Sequence, residues 1–489
     1  MNEDSPTLEE IIELTRQELT TAQAPDPIRE CGRAALLLLP NDPDVCLKLA
    51  YQKLHDVPYK DVKTCWRRLY IDASLYQVLK LAEHACERDD IRVDQVVRLL
   101  DMALILTGAP GREELVELWF TALKAALTTT MQEIDINDSG RPLKRQKLSS
   151  SSQSSRIPTG FPIDFPEPAP TLQYPIQRTK ELSLSAFQKI VSNTEGHTPL
   201  IIEGAIQHWP ALEERPWNNP GYLLEQTLGG RRLIPVEVGK SYTDEGWGQR
   251  IITFREFMET YMLDGFAEPA EPTEETHATY NSNSDTAPPT PKAQKTPTGY
   301  LAQHDLFAQI PSLRADISTP DYCYSEPAHS PHLTHIKPVA KLDEPLLNAW
   351  FGPAGTISPL HTDPYHNILA QVAGYKYVRL YAPHETRNLH PRSVGESGVD
   401  MSNTSQVDLD EAMAVYPDIS CWESKRSDDG REEVLDEARS VFEEQFPGFK
   451  DAEYVDAILG PGECLYLPVG WWHYIRSLTP SFSVSFWFN

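Results

Sequence analysis

From Thr7 to about Ile134 the chain reads as helix. Leu115, Leu118, Trp119, Ala122, Leu123 and Ala126 recur at the three-four spacing that puts apolar side chains on one helix face. The helix before them stops at Gly108-Ala109-Pro110, where glycine permits a left-handed cap and proline forbids continuation. With further helices expected over Asp44–His55 and Ala73–Glu87, residues 1–134 make a helical bundle or helical array. No fixed repeat period is visible.

Over residues 135–178 the pattern dissolves into serine, proline and charge, including SSSSQSS and FPIDFPEPAP. Such a stretch buries too little apolar surface to offset chain entropy and is expected to be a linker. The period then changes to two. PLIIEGA and RLIPVEV open a strand-rich region, and ECLYLP, HYIRSL and SFSVSFWF close it. These are short β-branched or aromatic runs separated by Pro-Val-Gly and Thr-Pro-Ser turns. Many short strands without intervening helices predict an antiparallel sandwich, barrel or jelly roll over residues 179–489. The fold class is therefore α+β, a helical domain followed by a β domain, which suits a chain of 489 residues. Two stretches interrupt the β domain. Residues 267–298 are of low complexity and read as a disordered surface loop. Residues 397–451 are acidic, and Val434, Leu435, Ala438, Val441 and Phe442 recur there at helical spacing. Both are expected to be insertions on loops.

Charge adds a preference for partners. A net charge of −27 disfavours a nucleic-acid backbone and favours a basic protein or peptide, although solubility alone explains an acidic surface equally well. Against that background Lys144, Arg145 and Lys147 form a short basic cluster in the linker, the kind of patch a nuclear import signal uses. Seven scattered cysteines without a C-x-x-C pair predict reduced thiols in an intracellular protein. No secretory signal is read, and no apolar run reaches the about 18 residues that span a bilayer.

The candidate chemistry lies near the C-terminus. In an extended chain His361 and Asp363 point the same way and can present an imidazole and a carboxylate to one ion. His473, opening a strand after a Pro-Gly turn, is the best candidate for a third ligand. Two histidines and one carboxylate would leave three positions of an octahedral iron(II) open. A lone His-x-Asp pair is weak evidence, because a chain with 14 histidines produces one by chance. On the next strand Lys376 shares a face with Val378 and Leu380. Either its stem snorkels, the commoner case, or its ammonium meets an anion.

Read together, GTISPLHTDPYHNILAQVAGYKYVRLYAP and GPGECLYLPVGWWHYIRSLTPSFSVSFWFN resemble the metal-binding halves of the JmjC family of iron(II)- and 2-oxoglutarate-dependent oxygenases. The likeness extends through TPLIIEGAIQHWPAL, IPVEVGKSYTDEGWGQ, YLAQHDLFAQIPSLRADISTPDYC and NAWFGP, covering most of residues 180–489. The resemblance implies a double-stranded β-helix of the cupin type, with His361, Asp363 and His473 as iron ligands. It implies that Lys376 pairs with the distal carboxylate of 2-oxoglutarate and that Tyr300, Ser358 and Asn367 hydrogen-bond this cosubstrate. It implies that Glu237 and Trp350 hold a substrate arginine, by a carboxylate–guanidinium pair and a cation–π contact. The longer interval between Asp363 and His473, and the expanded loop before Tyr300, depart from the family pattern without removing a ligand. Expected activities are protein hydroxylation, with arginine favoured, or demethylation of methyl-lysine in a histone or another nuclear protein, with O2 as oxidant. A cupin-like binding protein without turnover is the alternative of another class.

Overall fold

The computed structural model describes residues 5–21, 26–83, 90–138, 157–165, 169–194, 196–241, 243, 246–263, 298–329, 333, 336, 339–394, 400–422 and 432–489. The expected loop over 267–297, the basic cluster Lys144, Arg145 and Lys147, and Cys86 lie outside them. The six described cysteines are free thiols.

Among the described residues six α-helices form the N-terminal region: α1 (Leu8–Thr20), α2 (Arg33–Leu38), α3 (Pro43–His55), α4 (Thr64–Glu83), α5 (Asp90–Thr107) and α6 (Glu113–Asp138). Thr7 caps α1 in a reciprocal box with Glu10, satisfying two otherwise orphaned N–H groups. Helix α5 ends where expected, with Gly108 at φ +70°. Helix α4 begins nine residues before the expected Ala73, and residues 84–89, which include the expected end at Glu87, are outside the described set. The reason for the early start is burial on every side. Leu69, Tyr70, Ile71, Ala73, Leu75, Val78 and Leu79 are all in the core, and Arg68, Asp72 and Ser74 between them are buried too, so no exposed face marks the period. Ion pairs of Arg68 with Asp26 and Asp72, and of Arg112 with Asp72 and Glu18, tie the helices together.

The interval expected as a linker is more structured than its composition suggested. Helix α6 continues to Asp138, and Phe161 and Ile176 are buried in the β domain. The backbone N–H groups of Gln173 and Tyr174 donate to the Asp456 carboxylate. A few apolar anchors in a proline-rich stretch are enough to hold it once a large partner surface is present.

Thirteen strands follow among the described residues: β1 (Arg178–Lys180), β2 (Leu200–Glu203), β3 (Leu233–Val238), β4 (Gly248–Thr253), β5 (Gly299–His304), β6 (Leu346–Gly352), β7 (Ile357–His361), β8 (His366–Ala373), β9 (Lys376–Tyr381), β10 (Tyr454–Leu459), β11 (Glu463–Leu467), β12 (Trp472–Ser477) and β13 (Ser481–Phe488). They build a nine-stranded sheet ordered β1-β2-β11-β8-β13-β6-β5-β3-β4 and a four-stranded sheet ordered β10-β9-β12-β7. From β6 onward the chain deals its strands between the two sheets, which is a jelly roll, the double-stranded β-helix of the α+β expectation. Strand β13 shows how sequence sets the layers. Phe482, Val484, Phe486 and Phe488 point out into a core shared with Phe187, Trp209 and Trp217. The alternating positions carry Ser483, bonded to Gln371, and Ser485, bonded to Trp350, so small residues leave room inside the barrel.

The acidic stretch 397–451 lies between β9 and β10, which are hydrogen-bonded neighbours, a place where a longer connection costs little. Its helices Leu409–Val415 and Glu432–Gln445 are not loosely attached. Leu409, Met413, Phe442, Phe446 and Phe449 pack with Tyr377, Tyr381, Trp472 and Tyr474 on the outer face of the smaller sheet. Each buried phenylalanine contributes about 1.5–3 kcal/mol. Val441, expected on the apolar face, is exposed.

Candidate metal and cosubstrate site

Strands β7 and β12 are antiparallel neighbours, and their register pairs His361 with His473 directly. The chain turns immediately after His361, and that turn carries Asp363. Its carboxylate stands 3.8 Å from His361 Nε2 and 3.5 Å from His473 Nε2, and the donor atoms of all three residues lie within 4.8 Å of one another. Two atoms that each ligate one ion at about 2.1 Å can be at most about 4.2 Å apart, so both measured separations fit a shared metal. The tautomers fit too. His361 Nδ1 faces the carbonyl of Pro359 at 2.7 Å and His473 Nδ1 that of Trp471 at 3.1 Å. Each Nδ1 must then carry the proton, leaving Nε2 as the lone-pair donor toward the centre. Burial raises the pKa of Asp363, with His361 opposing, and lowers that of His473. A divalent cation is the natural compensation for a carboxylate buried between neutral imidazoles.

Lys376 opens β9 and is 2 % exposed, so its stem does not snorkel. Its ammonium donates to the Tyr300 hydroxyl at 3.2 Å, and among the described residues no carboxylate pairs with it. Burial pushes its pKa down to about 7. A buried cation with one neutral partner is costly unless an anion completes it. Ser358, on β7, hydrogen-bonds the same Tyr300 hydroxyl, and Asn367, on β8, is buried with its side-chain oxygen unpartnered. An amide can offer either an acceptor or a donor to a ligand. Lys376, Tyr300, Ser358 and Asn367 thus supply the donors that a dicarboxylate requires, and the residues present fit 2-oxoglutarate.

Strand β3 places Glu237 opposite Tyr300 of β5. Burial raises the Glu237 pKa, offset by hydrogen bonds from Trp247 and Gln249; the Trp247 Nε1 contact is 3.3 Å. Trp350, on β6, lies 6.1 Å from the Tyr300 ring, centroid to centroid. The structure therefore brings Glu237 and Trp350 to the Tyr300 side of the barrel interior.

Three features escaped sequence reasoning. Trp247 was visible only as part of a matched segment, and nothing local announces that it donates to Glu237. Trp487 is buried with an unpartnered Nε1 and stacks on Tyr365, 5.5 Å between centroids; its place in the Ser-Phe alternation of β13 is the signal that could have found it. The acidic stretch also walls the site. Thr362 N–H donates to the Asn403 carbonyl, Ser405 N–H to that of Leu360, and Asp408 pairs with Lys240.

A jelly roll that gathers two histidines and a carboxylate beside an anion-ready lysine defines a cupin-type oxygenase. A family model described as a cupin-like domain matches residues 184–489, and the chain belongs to this cupin-like JmjC family. It is 32 % identical over 445 residues to lysine-specific demethylase 8 of Danio rerio, covering 91 % of this chain and 86 % of that protein. It is also 32 % identical over 466 residues to lysine-specific demethylase JMJ30 of Arabidopsis thaliana, covering 94 % and 89 %. A more distant relative is the human bifunctional peptidase and (3S)-lysyl hydroxylase JMJD7, 24 % identical over 300 residues, covering 60 % and 77 %. The chain is accordingly a 2-oxoglutarate-dependent oxygenase, of a family that uses iron(II), 2-oxoglutarate and O2. No helix among the described residues is long and apolar enough to cross a membrane.

Proposed function

We propose that this oxygenase hydroxylates arginine side chains of a basic protein substrate. In this reading His361, Asp363 and His473 hold iron(II), and Lys376, Tyr300, Ser358 and Asn367 hold 2-oxoglutarate. The bound metal, cosubstrate and O2 supply an oxidant that converts C–H to C–OH while 2-oxoglutarate loses carbon dioxide to become succinate. The protein's own residues do the positioning. Lys376 neutralises the distal carboxylate, and Tyr300 and Ser358 orient it. Glu237 takes the guanidinium by a charge-assisted pair, and Trp350 offers an indole face. The observation that carries the arginine reading is Glu237 itself, a carboxylate whose pKa burial raises and whose partners are neutral donors. A fixed cation from a substrate would stabilise its charged form.

The second reading is removal of a methyl group from lysine by the same chemistry, favoured by the names of two relatives. We also assign a helical domain to residues 1–134, a connecting segment to 135–178 that carries the nuclear import signal Lys144, Arg145 and Lys147 and is anchored on the β domain by Phe161 and Ile176, and an oxygenase domain to 179–489. Substrates would then be basic nuclear proteins, histones among them, consistent with a net charge of −27.

The test is incubation with iron(II), 2-oxoglutarate, O2 and basic peptides, some methylated on lysine, read by tandem mass spectrometry beside a His361→Ala control. A one-oxygen gain on arginine is expected. Loss of a methyl group from lysine, with arginine untouched, would replace the arginine reading with the second.

A further inference from the structure

We infer that Asp101, on helix α5 of the helical region, is a positioning residue for the oxygenase site, acting through strands β3 and β5. The inference rests on the assignments of Glu237 and Tyr300 proposed above and adds a role for the helical region in the same reaction. Asp101 is 0 % exposed. Its carboxylate accepts from Arg232 Nε at 2.9 Å and Nη2 at 2.7 Å, from the Leu233 N–H at 2.7 Å, and from Gln309 Nε2 at 2.8 Å. The guanidinium of Arg232 also lies 3.5 Å over the ring of Phe120 on α6.

Each of these partners leads to the site. Leu233 opens β3, and Glu237 stands four residues along that strand, paired with Tyr300. Gln309 also donates to the Leu233 carbonyl at 2.7 Å, and its oxygen lies 2.7 Å from His304 Nε2. His304 closes β5, four residues after Tyr300. Between Leu301 and His304 the pairing of β5 with β6 slips, and Gln303 sits at φ +47°, a left-handed conformation that a non-glycine residue holds only when its surroundings impose it. The buried carboxylate thus fixes the start of the strand that carries Glu237 and, through Gln309, the end of the strand that carries Tyr300. The iron-ligand set is outside this network, since His361, Asp363 and His473 belong to β7, the turn after it, and β12.

That separation gives the test. In the full chain, Asp101→Asn is combined with Arg232→Met, so that neither buried charge is left unpaired. Gln309→Met is made as a second, uncharged variant that cuts the link to His304. Manganese(II) binding and 2-oxoglutarate binding to the manganese-loaded protein are measured by calorimetry, and the KM for an arginine peptide is measured with iron(II). The double variant is expected to weaken 2-oxoglutarate binding and raise the peptide KM, each by about tenfold. Gln309→Met should weaken 2-oxoglutarate binding by roughly threefold, with manganese affinity unchanged in both. Wild-type values for 2-oxoglutarate and peptide in a folded variant would make Asp101 an interdomain tie and overturn the inference. A parallel loss of manganese affinity would overturn it as well, as general loosening. Should the double variant not fold, Gln309→Met decides alone. Tyr300→Phe is run beside them. If that change leaves 2-oxoglutarate binding intact, the cosubstrate assignment has failed, and the Asp101 role stands or falls on the peptide KM, which reports Glu237.

Discussion

Strand β9 carries two buried cations three residues apart, on opposite faces of the smaller sheet, and their surroundings differ in kind. Arg379 points out beneath the acidic stretch. It donates to the Tyr377 hydroxyl at 2.9 Å and to the Ile419 carbonyl at 2.7 Å, and lies 4.0 Å over the Tyr454 ring; only Nη1 lacks a partner. Lys376 points in and has the Tyr300 hydroxyl. The outer cation is completed by its own chain, so its work is to hold the layer down. The inner one is incomplete among the described residues, and completing it requires a ligand with negative charge. Burial alone does not distinguish a structural charge from a functional one; the state of its hydrogen-bond partners does.

The sharpest way to break this contrast is to remove each cation in turn. Lys376→Met should weaken 2-oxoglutarate binding by about 2–4 kcal/mol, roughly two orders of magnitude. The ligand-free protein should become no less stable, because an unpaired buried charge has been removed. The lysine pKa is lower in the folded than in the unfolded chain, so its cost is full below about pH 7. That cost fades as pH rises toward the unfolded value of about 10.4. The variant's stability gain should therefore be greatest at or below neutral pH in thermal melts. Arg379→Met should do the reverse, lowering stability by about 2–3 kcal/mol through the hydrogen bonds it forfeits, with 2-oxoglutarate affinity near wild type. Equal losses of 2-oxoglutarate binding in both variants would erase the distinction.

The inner cation should also show itself in a pH profile. Below about pH 7 the free lysine is protonated and ready for a carboxylate; above it, binding must take up a proton. The KM for 2-oxoglutarate should be flat below pH 7 and rise above it by up to about tenfold per pH unit, a rise that Lys376→Met should abolish. The smallest effect is expected at the rim. Trp247→Phe removes the donor to Glu237 and should change the substrate KM by about 1 kcal/mol, roughly fivefold, leaving 2-oxoglutarate affinity alone.

The inner half was largely legible in the sequence and the outer half was not. Period-two runs and turn signals marked the strands that open and close the β domain, while a lone His-x-Asp pair is weak evidence, and His361, Asp363 and His473 stood out as a set through the resemblance of their segments to the JmjC family. The alternation of Lys376 with Val378 and Leu380 posed the question of snorkelling or pairing, which only burial could answer. The packing of Phe442, Phe446 and Phe449 over Tyr377 and Tyr381 was hidden because their partners lie tens of residues away and local periodicity reports a helix without its destination. Helix α4 hid its start for the opposite reason, being buried on every side along its middle, the charged Arg68 and Asp72 included. The pairing of Asp101 with Arg232, 131 positions apart, leaves no local trace at all.

If His361, Asp363 and His473 together hold the iron that drives 2-oxoglutarate turnover, losing the one carboxylate among them must stop it. Succinate formation by Asp363→Ala should be measured with iron(II) in excess, beside wild type and with folding checked by circular dichroism. Turnover at background in a folded variant is the expected result. Turnover that survives in Asp363→Ala with iron added would contradict it and move the metal elsewhere.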